Sequence, residues 1–386
     1  MKDCRHVPVS GRNSSIELLK LIAIALIILN HMTQSLTEQS SFIPFTDYLI
    51  NNTLSTTDIT SLLLAIFRMS GCLGNNIFVI CSAWFLTDSK RSDKRKIIFM
   101  MINIWTISVL IFVITLFFGC DLDRDDTLRQ FFPTSNAANW FMTCYILLYL
   151  IHPLLNKLIG AIDRRTHLAM AAVMVLLFSF ANFFRPWFFI TQIFYVNDLL
   201  IWIMLYFIVA YIKLYIRSAA SDIKSSVIAL IIGILGQASC VAAVNFIGLK
   251  IDFLGDKLLY FNYAGSPFII LAALSAFNIA RLSSFHCRFI NYMSGLSMLV
   301  YLIHENYILR LVYRPWIFVF IYDTFGYRCI ILWLFVSAAA VFIAAFILAF
   351  IYRQSAERIV RIVSDRLSDI LARLWRRLTT WLLRIE

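Results

Sequence analysis

Long apolar runs, each closed by a short polar or charged stretch, set the plan of this chain. A hydrocarbon core about 30 Å thick is crossed by roughly 20 helical residues. On that measure the runs predict ten transmembrane helices, over 16–36, 71–88, 97–118, 138–158, 168–184, 197–216, 225–247, 263–281, 289–308 and 329–351. The fifth is short and the second the least apolar. A polar stretch over 37–70, rich in Ser, Thr and Asn, follows the first run, and its end, ITSLLLAIF, suits a short interfacial helix. The last segment has another period. Ile359, Val363, Leu367, Ile370, Leu374, Leu378 and Trp381 recur every three or four positions, with Arg358, Arg361, Arg366, Arg373, Arg376 and Arg377 among them. That is the pattern of a basic amphipathic helix lying on a membrane surface. A partner-binding or dimerising helix is the alternative, so a homo-oligomer stays open. The expected architecture is an all-α integral membrane protein. A polytopic unit fills 1–352 and an amphipathic tail helix 353–386, with no internal repeat and no loop long enough for a further domain.

Composition supports this plan and excludes a soluble one. The chain is 61% hydrophobic and only 15% charged, with a mean hydropathy of +0.79, whereas soluble domains are about 45–50% apolar and about 25% charged. The first run is too long for a signal-peptide core and lacks a small-residue cleavage site, so it is expected to stay as a transmembrane helix. With the N-terminus inside, 24 of the 34 Lys and Arg residues fall in cytoplasmic segments and 9 in outside segments. The positive-inside rule then favours N-in, C-in with ten spans. One span fewer would place the arginine-rich tail outside. The net charge of +12 fits loops facing anionic lipid rather than nucleic acid. The eight cysteines show no CxxC and no paired His spacing, so they signal neither a metal site nor a disulfide framework.

The first run, ELLKLIAIALIILNHM from Glu17, carries the chemistry. Lys20 and His31 are 11 residues apart, so on a helix they share a face to within about 20° and lie about 16 Å apart along the axis. Glu17 stands three positions before Lys20 and can pair with it. A snorkelling lysine with an interfacial partner explains Glu17 and Lys20 equally well. His31 is harder to dismiss, because an ionisable group at depth in a membrane needs a cavity or a partner. His304 and Glu305, at the end of the ninth run, fall on the same side as His31. His304 is either part of a shared cavity or a helix-end residue. Arg68, Trp140 and Tyr145 are candidate cavity liners, although Trp and Tyr near an interface are commonly belt residues. Lys90, Arg91, Lys94, Arg95 and Lys96 form a basic cluster on the cytoplasmic side, also the ordinary positive-inside signal. His152 and His286 read as structural. Asn51 with Thr53 forms a glycosylation sequon to which no role is given.

Lys20, ten residues and then His31 resemble the Arg/Lys-x10-His signature of the membrane-integral acyltransferase-3 family, bacterial O-acetyltransferases of cell-surface sugars. Three further segments resemble that family in the same order: GNNIFVICSAWFL (74–86), NWFMTCYILLYLIHPLLN (139–156) and INYMSGLSMLVYLIHENYI (290–308). The sequence departs from the family at Ala83, where a Gly is usual, and in KRSDKRKII, which lacks a clean Arg-x-x-Arg and the Pro that follows it. The resemblance implies a multi-pass enzyme of the bacterial inner membrane. It would move acetyl from acetyl-CoA, a donor substrate rather than a tightly bound cofactor, to a glycan or lipid-linked saccharide hydroxyl. It implies that His31 is catalytic. Lys20 would fix an anionic part of the donor, Glu17 would orient Lys20, and Arg91, Arg95 and Lys96 would dock the coenzyme's headgroup. His304 matches the family's YLIH. No metal is expected. The competing reading is a secondary transporter or flippase for a surface glycan, since proton relays in carriers also use Lys, Glu and His. Against it stands the lack of paired Gly- or Pro-broken helices in two repeats. A third reading, a non-catalytic scaffold, makes His31 irrelevant.

Overall fold

The computed structural model describes residues 13–37, 59–118, 122–135, 139–184, 196–216, 222–248, 261–326 and 329–382. These residues are helical, with no strand among them. The helices are α1 (Ser14–Thr37), α2 (Ile59–Phe67), α3 (Met69–Leu86), α4 (Lys94–Phe117), α5 (Arg124–Phe131), α6 (Trp140–Ala161) and α7 (Arg164–Met174). They continue with α8 (Asp198–Tyr215), α9 (Ile223–Gly248), α10 (Pro267–Leu282), α11 (Arg288–Ser294), α12 (Ser297–His304), α13 (Arg314–Phe325), α14 (Ile330–Ser355) and α15 (Glu357–Leu382). Side-chain caps fix several starts. Asp93, Asp123, Asp163 and Asn197 each accept a backbone N–H of the first turn of α4, α5, α7 and α8, satisfying a donor that the helix itself leaves orphaned.

Eight helices are long and apolar enough to cross a membrane among the described residues, against the ten expected. The run at 263–281 forms only the 16-residue helix α10. The run at 289–308 divides into α11 and α12 around Gly295 and Leu296, whose N–H groups bond three residues back to Tyr292 and Met293. Serines at 294 and 297 and the glycine weaken helix propensity there, and the tight turn breaks the axis. ITSLLLAIF is helical as α2, but it leads through Arg68 into α3, so the second span runs from Ile59 to Leu86. The sequon at Asn51, most of the stretch after the first span and the segment before Asn13 lie outside the described residues.

Apolar surface is widely exposed. Leu110, Val113, Leu235, Phe335 and Ile343 are among many large side chains left uncovered, as expected where lipid rather than protein covers them. The core lies around α1, which packs against α3, α10, α11, α12, α13 and α14. Its closest approach is to α3. A Cβ on Gly74 would stand 2.6 Å from the Ala23 carbonyl oxygen, and one on Gly71 2.5 Å from the Asn30 side chain. Small residues of this kind let membrane helices touch backbone to backbone. The N-terminal end of α1 is pinned too: Ser14 Oγ donates to Asn291 Oδ1 (2.8 Å) and accepts from the Cys287 N–H (2.8 Å). Thus α1 is fixed against α11, and His31 is fixed relative to the end of α12. The tail helix α15 turns back at Ala356 and packs along α4.

Candidate active site

Near the C-terminal end of α1, His31 meets the end of α12. His31 Nδ1 lies 2.8 Å from Glu305 Oε2 and 3.2 Å from His304 Nε2. His304 Nδ1 stands 2.8 Å from the Val300 carbonyl. These contacts fix the tautomers. A carbonyl can only accept, so His304 carries its proton on Nδ1 and presents a lone pair at Nε2. His31 Nδ1 therefore faces two acceptors, a carboxylate and that lone pair, and must carry a proton. Its Nε2 is left with a lone pair and no hydrogen bond among the described residues.

Glu305 is held on both oxygens. Arg310 Nη1 lies 3.2 Å from Oε1 and Arg314 Nη2 3.1 Å from Oε2. Arg314 also donates to the backbone carbonyls of His31, at 3.3 Å, and of His304. It thus ties together the helix ends that carry both imidazoles. Glu305 and Arg314 are 1% and 3% exposed, and a buried carboxylate persists as a charge only when paired in this way. The chain reaches Arg314 through a π-helical turn over Leu309–Tyr313. This widened turn is a distortion common at functional sites. Beside it, Asn306 donates to Gln130 Oε1 (3.1 Å) and Tyr307 to Asp126 Oδ1 (2.9 Å), which seats α5 against this end.

A cavity of about 590 Å³ runs toward this cluster from the opposite end. Lys20, Asp93, Arg95 and Lys96 lie at its charged mouth, and Ile27, Phe141, Tyr145 and Tyr301 farther along. Ile27 is one turn before His31. The Tyr301 ring packs 5.6 Å from that of His304, so Tyr301 borders both the cavity and an imidazole. Its hydroxyl is buried without a hydrogen-bond partner.

The sequence-predicted residues thus divide into two groups. His31, His304 and Glu305 form the histidine cluster. Lys20, Arg95, Lys96 and Tyr145 line the cavity. Glu17 lies 3.3 Å from Lys20 Nζ and accepts from Ser294 Oγ. Arg68 Nη1 reaches Asn30 Oδ1 at 3.5 Å, beside His31 rather than in the cavity. Trp140 packs its ring against Phe141 and Trp202, and Arg91 is exposed away from the cavity wall. Sequence reasoning missed Arg310, Arg314 and Tyr301. The two arginines had a visible signal, as charges within the apolar stretch YILRLVYRPWIF.

By distance alone His31, His304 and Glu305 could ligate a metal, since one donor atom from each lies within 4.8 Å of the others. The donor set fits an ion poorly. Two guanidiniums already occupy the carboxylate, and their charge opposes a further cation. The arrangement instead matches a carboxylate–imidazole pair, in which the carboxylate orients the ring and stabilises its protonated form.

A family model described as an acyltransferase domain, that of acyltransferase-3, matches residues 13–353. No curated protein and no solved structure matches the chain.

Proposed function

Because the chain belongs to the acyltransferase-3 family, we propose that this membrane acyltransferase moves acetyl from acetyl-CoA to a hydroxyl of a cell-surface polysaccharide or its lipid-linked precursor, in the bacterial inner membrane. The observation that carries the reading is the Glu305–His31 pair, which leaves Nε2 of a buried imidazole free beyond a cavity with a cationic mouth.

In this reading the thioester enters along the cavity, with its anionic end at Lys20, Arg95 and Lys96. His31 Nε2 takes the proton of the acceptor hydroxyl, and the oxygen attacks the thioester carbonyl carbon. Glu305, itself fixed by Arg310 and Arg314, holds the ring and offsets the positive charge it gains. The unpartnered Tyr301 hydroxyl donates to the oxyanion as it forms, a contact worth most where water is excluded. The carbon–sulfur bond then breaks, and the departing thiolate takes the proton from Nε2. His304 accepts from His31 Nδ1–H and helps fix the ring. Glu17 positions Lys20.

The test is transfer from labelled acetyl-CoA to glycan by the purified protein. His31→Ala should lose about 10²–10⁴-fold in rate, the usual range for a general base. His152→Ala, which removes a buried histidine remote from the pair, should keep most activity. A carrier would give glycan export that depends on His31 with no acetyl transferred. Wild-type transfer rates in His31→Ala at equal protein level would refute the mechanism.

A further inference from the structure

The cavity mouth is not built from the family-matched chain alone. Arg361, Ser364 and Asp365 of α15 line it together with Lys20, Asp93, Arg95 and Lys96. They lie beyond residue 353, where the family match ends. The contact is made by one face of the tail helix. Val360, Ser364 and Ser368, spaced four apart, are 5%, 1% and 7% exposed. The apolar stripe lies on other faces: Ile359 is 64% exposed, Val363 48%, Ile370 44% and Leu374 53%. The helix therefore rests on α4 by its small polar residues and leaves its apolar residues for a bilayer surface. Three polar contacts hold it there. Arg95 Nη2 lies 3.1 Å from Asp369 Oδ1, Arg361 sits 5.0 Å over the Phe99 ring, and Lys94 lies 5.9 Å over the Trp375 ring.

We propose that α15 is a wall of the donor site and that Arg361 binds a phosphate of the donor beside Lys20, Arg95 and Lys96. The proposal rests on the acyl-CoA reading above. Four cations and two carboxylates, Asp93 and Asp365, line this mouth, and the excess of positive charge suits a ligand with several negative charges at one end. An acyl-CoA carries a pyrophosphate and a 3′-phosphate at the nucleotide end and none along the pantetheine arm. That division matches a cationic mouth leading into an apolar channel. Arg361 is held by Glu357, 2.9 Å away on its own helix, in an exposed i,i+4 pair of the weak kind. A phosphate can therefore displace that partner and take two N–H donors of the guanidinium.

The test uses the full chain in nanodiscs and measures affinity for coenzyme A and for pantetheine, which lacks the phosphates. Arg361→Ala should weaken coenzyme A binding about tenfold, as expected for loss of one charge-assisted contact, and leave pantetheine unchanged. Arg361→Lys should recover part of the loss. Arg373→Ala, an exposed tail arginine off the cavity, should bind as wild type. Wild-type coenzyme A affinity in both Arg361→Ala and Arg361→Glu would overturn the proposal while the donor reading stands. Equal weakening toward both ligands would also overturn it, because the tail would then act through packing. Absence of coenzyme A binding by the wild-type protein would remove the donor reading, and this proposal with it.

Discussion

The two ends of the molecule handle charge in opposite ways. At the histidine cluster His31, His304, Glu305 and Arg314 are all under a tenth exposed, and the contacts among them specify both tautomers. At the cavity mouth Arg95 and Asp369 are 61% and 55% exposed, and Arg361 63%. The Arg95–Asp369 and Arg361–Glu357 pairs there are reached by water and screened by salt. Buried pairs cannot exchange partners without stranding a charge, so the histidine cluster has one geometry. Exposed pairs contribute little and can be replaced by a ligand. In the proposed mechanism, an enzyme that holds a base rigidly yet admits and releases a polyanionic donor uses both arrangements, at separate ends of one path.

This contrast can be broken at several points. The largest effect is expected from Arg314→Ala, which removes one partner of a buried pair and a donor to the His304 carbonyl. It should destabilise the protein by about 3–5 kcal/mol, seen as a sharp fall in thermal stability or in folded yield. Stability close to wild type would mean that the cluster is not a closed network. Next is Tyr301→Phe, which keeps the ring bordering the cavity and an imidazole and deletes only the orphan hydroxyl. A drop of about 10²-fold in kcat is expected, with KM for the donor unchanged; one oxyanion donor is typically worth about 10²–10³. If KM moves instead, the hydroxyl binds donor rather than transition state. Smallest is Asp369→Asn at the mouth, which should change stability by less than about 1 kcal/mol. A larger loss would show that the tail is clamped by this pair and that the mouth is as rigid as the histidine cluster.

Much of the histidine cluster was legible because a titratable residue inside an apolar run is conspicuous. Lys20 and His31 stood out by helical phase, and His304 with Glu305 by closing another run. Arg310 and Arg314 were not legible as partners. They fall after the ninth apolar run, and the π-helical turn over Leu309–Tyr313, which contains Arg310 and precedes Arg314, shifts the phase on which a spacing argument depends. Tyr301 looked like any aromatic in a buried helix, since only three dimensions show that its hydroxyl lacks a partner. The fold was readable where apolar length decides it, but not at 294–297, where local turn chemistry splits a run of sufficient length. In the tail the apolar stripe dominated the pattern. The face that meets α4, marked only by Val360, Ser364 and Ser368, gave no hydrophobic signal.

The central claim is that Glu305 and His31 act as one unit. A double-mutant cycle on the rate of acetyl transfer, with His31→Ala, Glu305→Gln and the two combined, tests it most directly. Residues that act together are strongly non-additive in catalysis. The double variant should therefore be no slower than the slower single variant, with Glu305→Gln alone already losing at least about 10²-fold. Losses that multiply in the double variant, or a Glu305→Gln enzyme that works at the wild-type rate, would contradict the account.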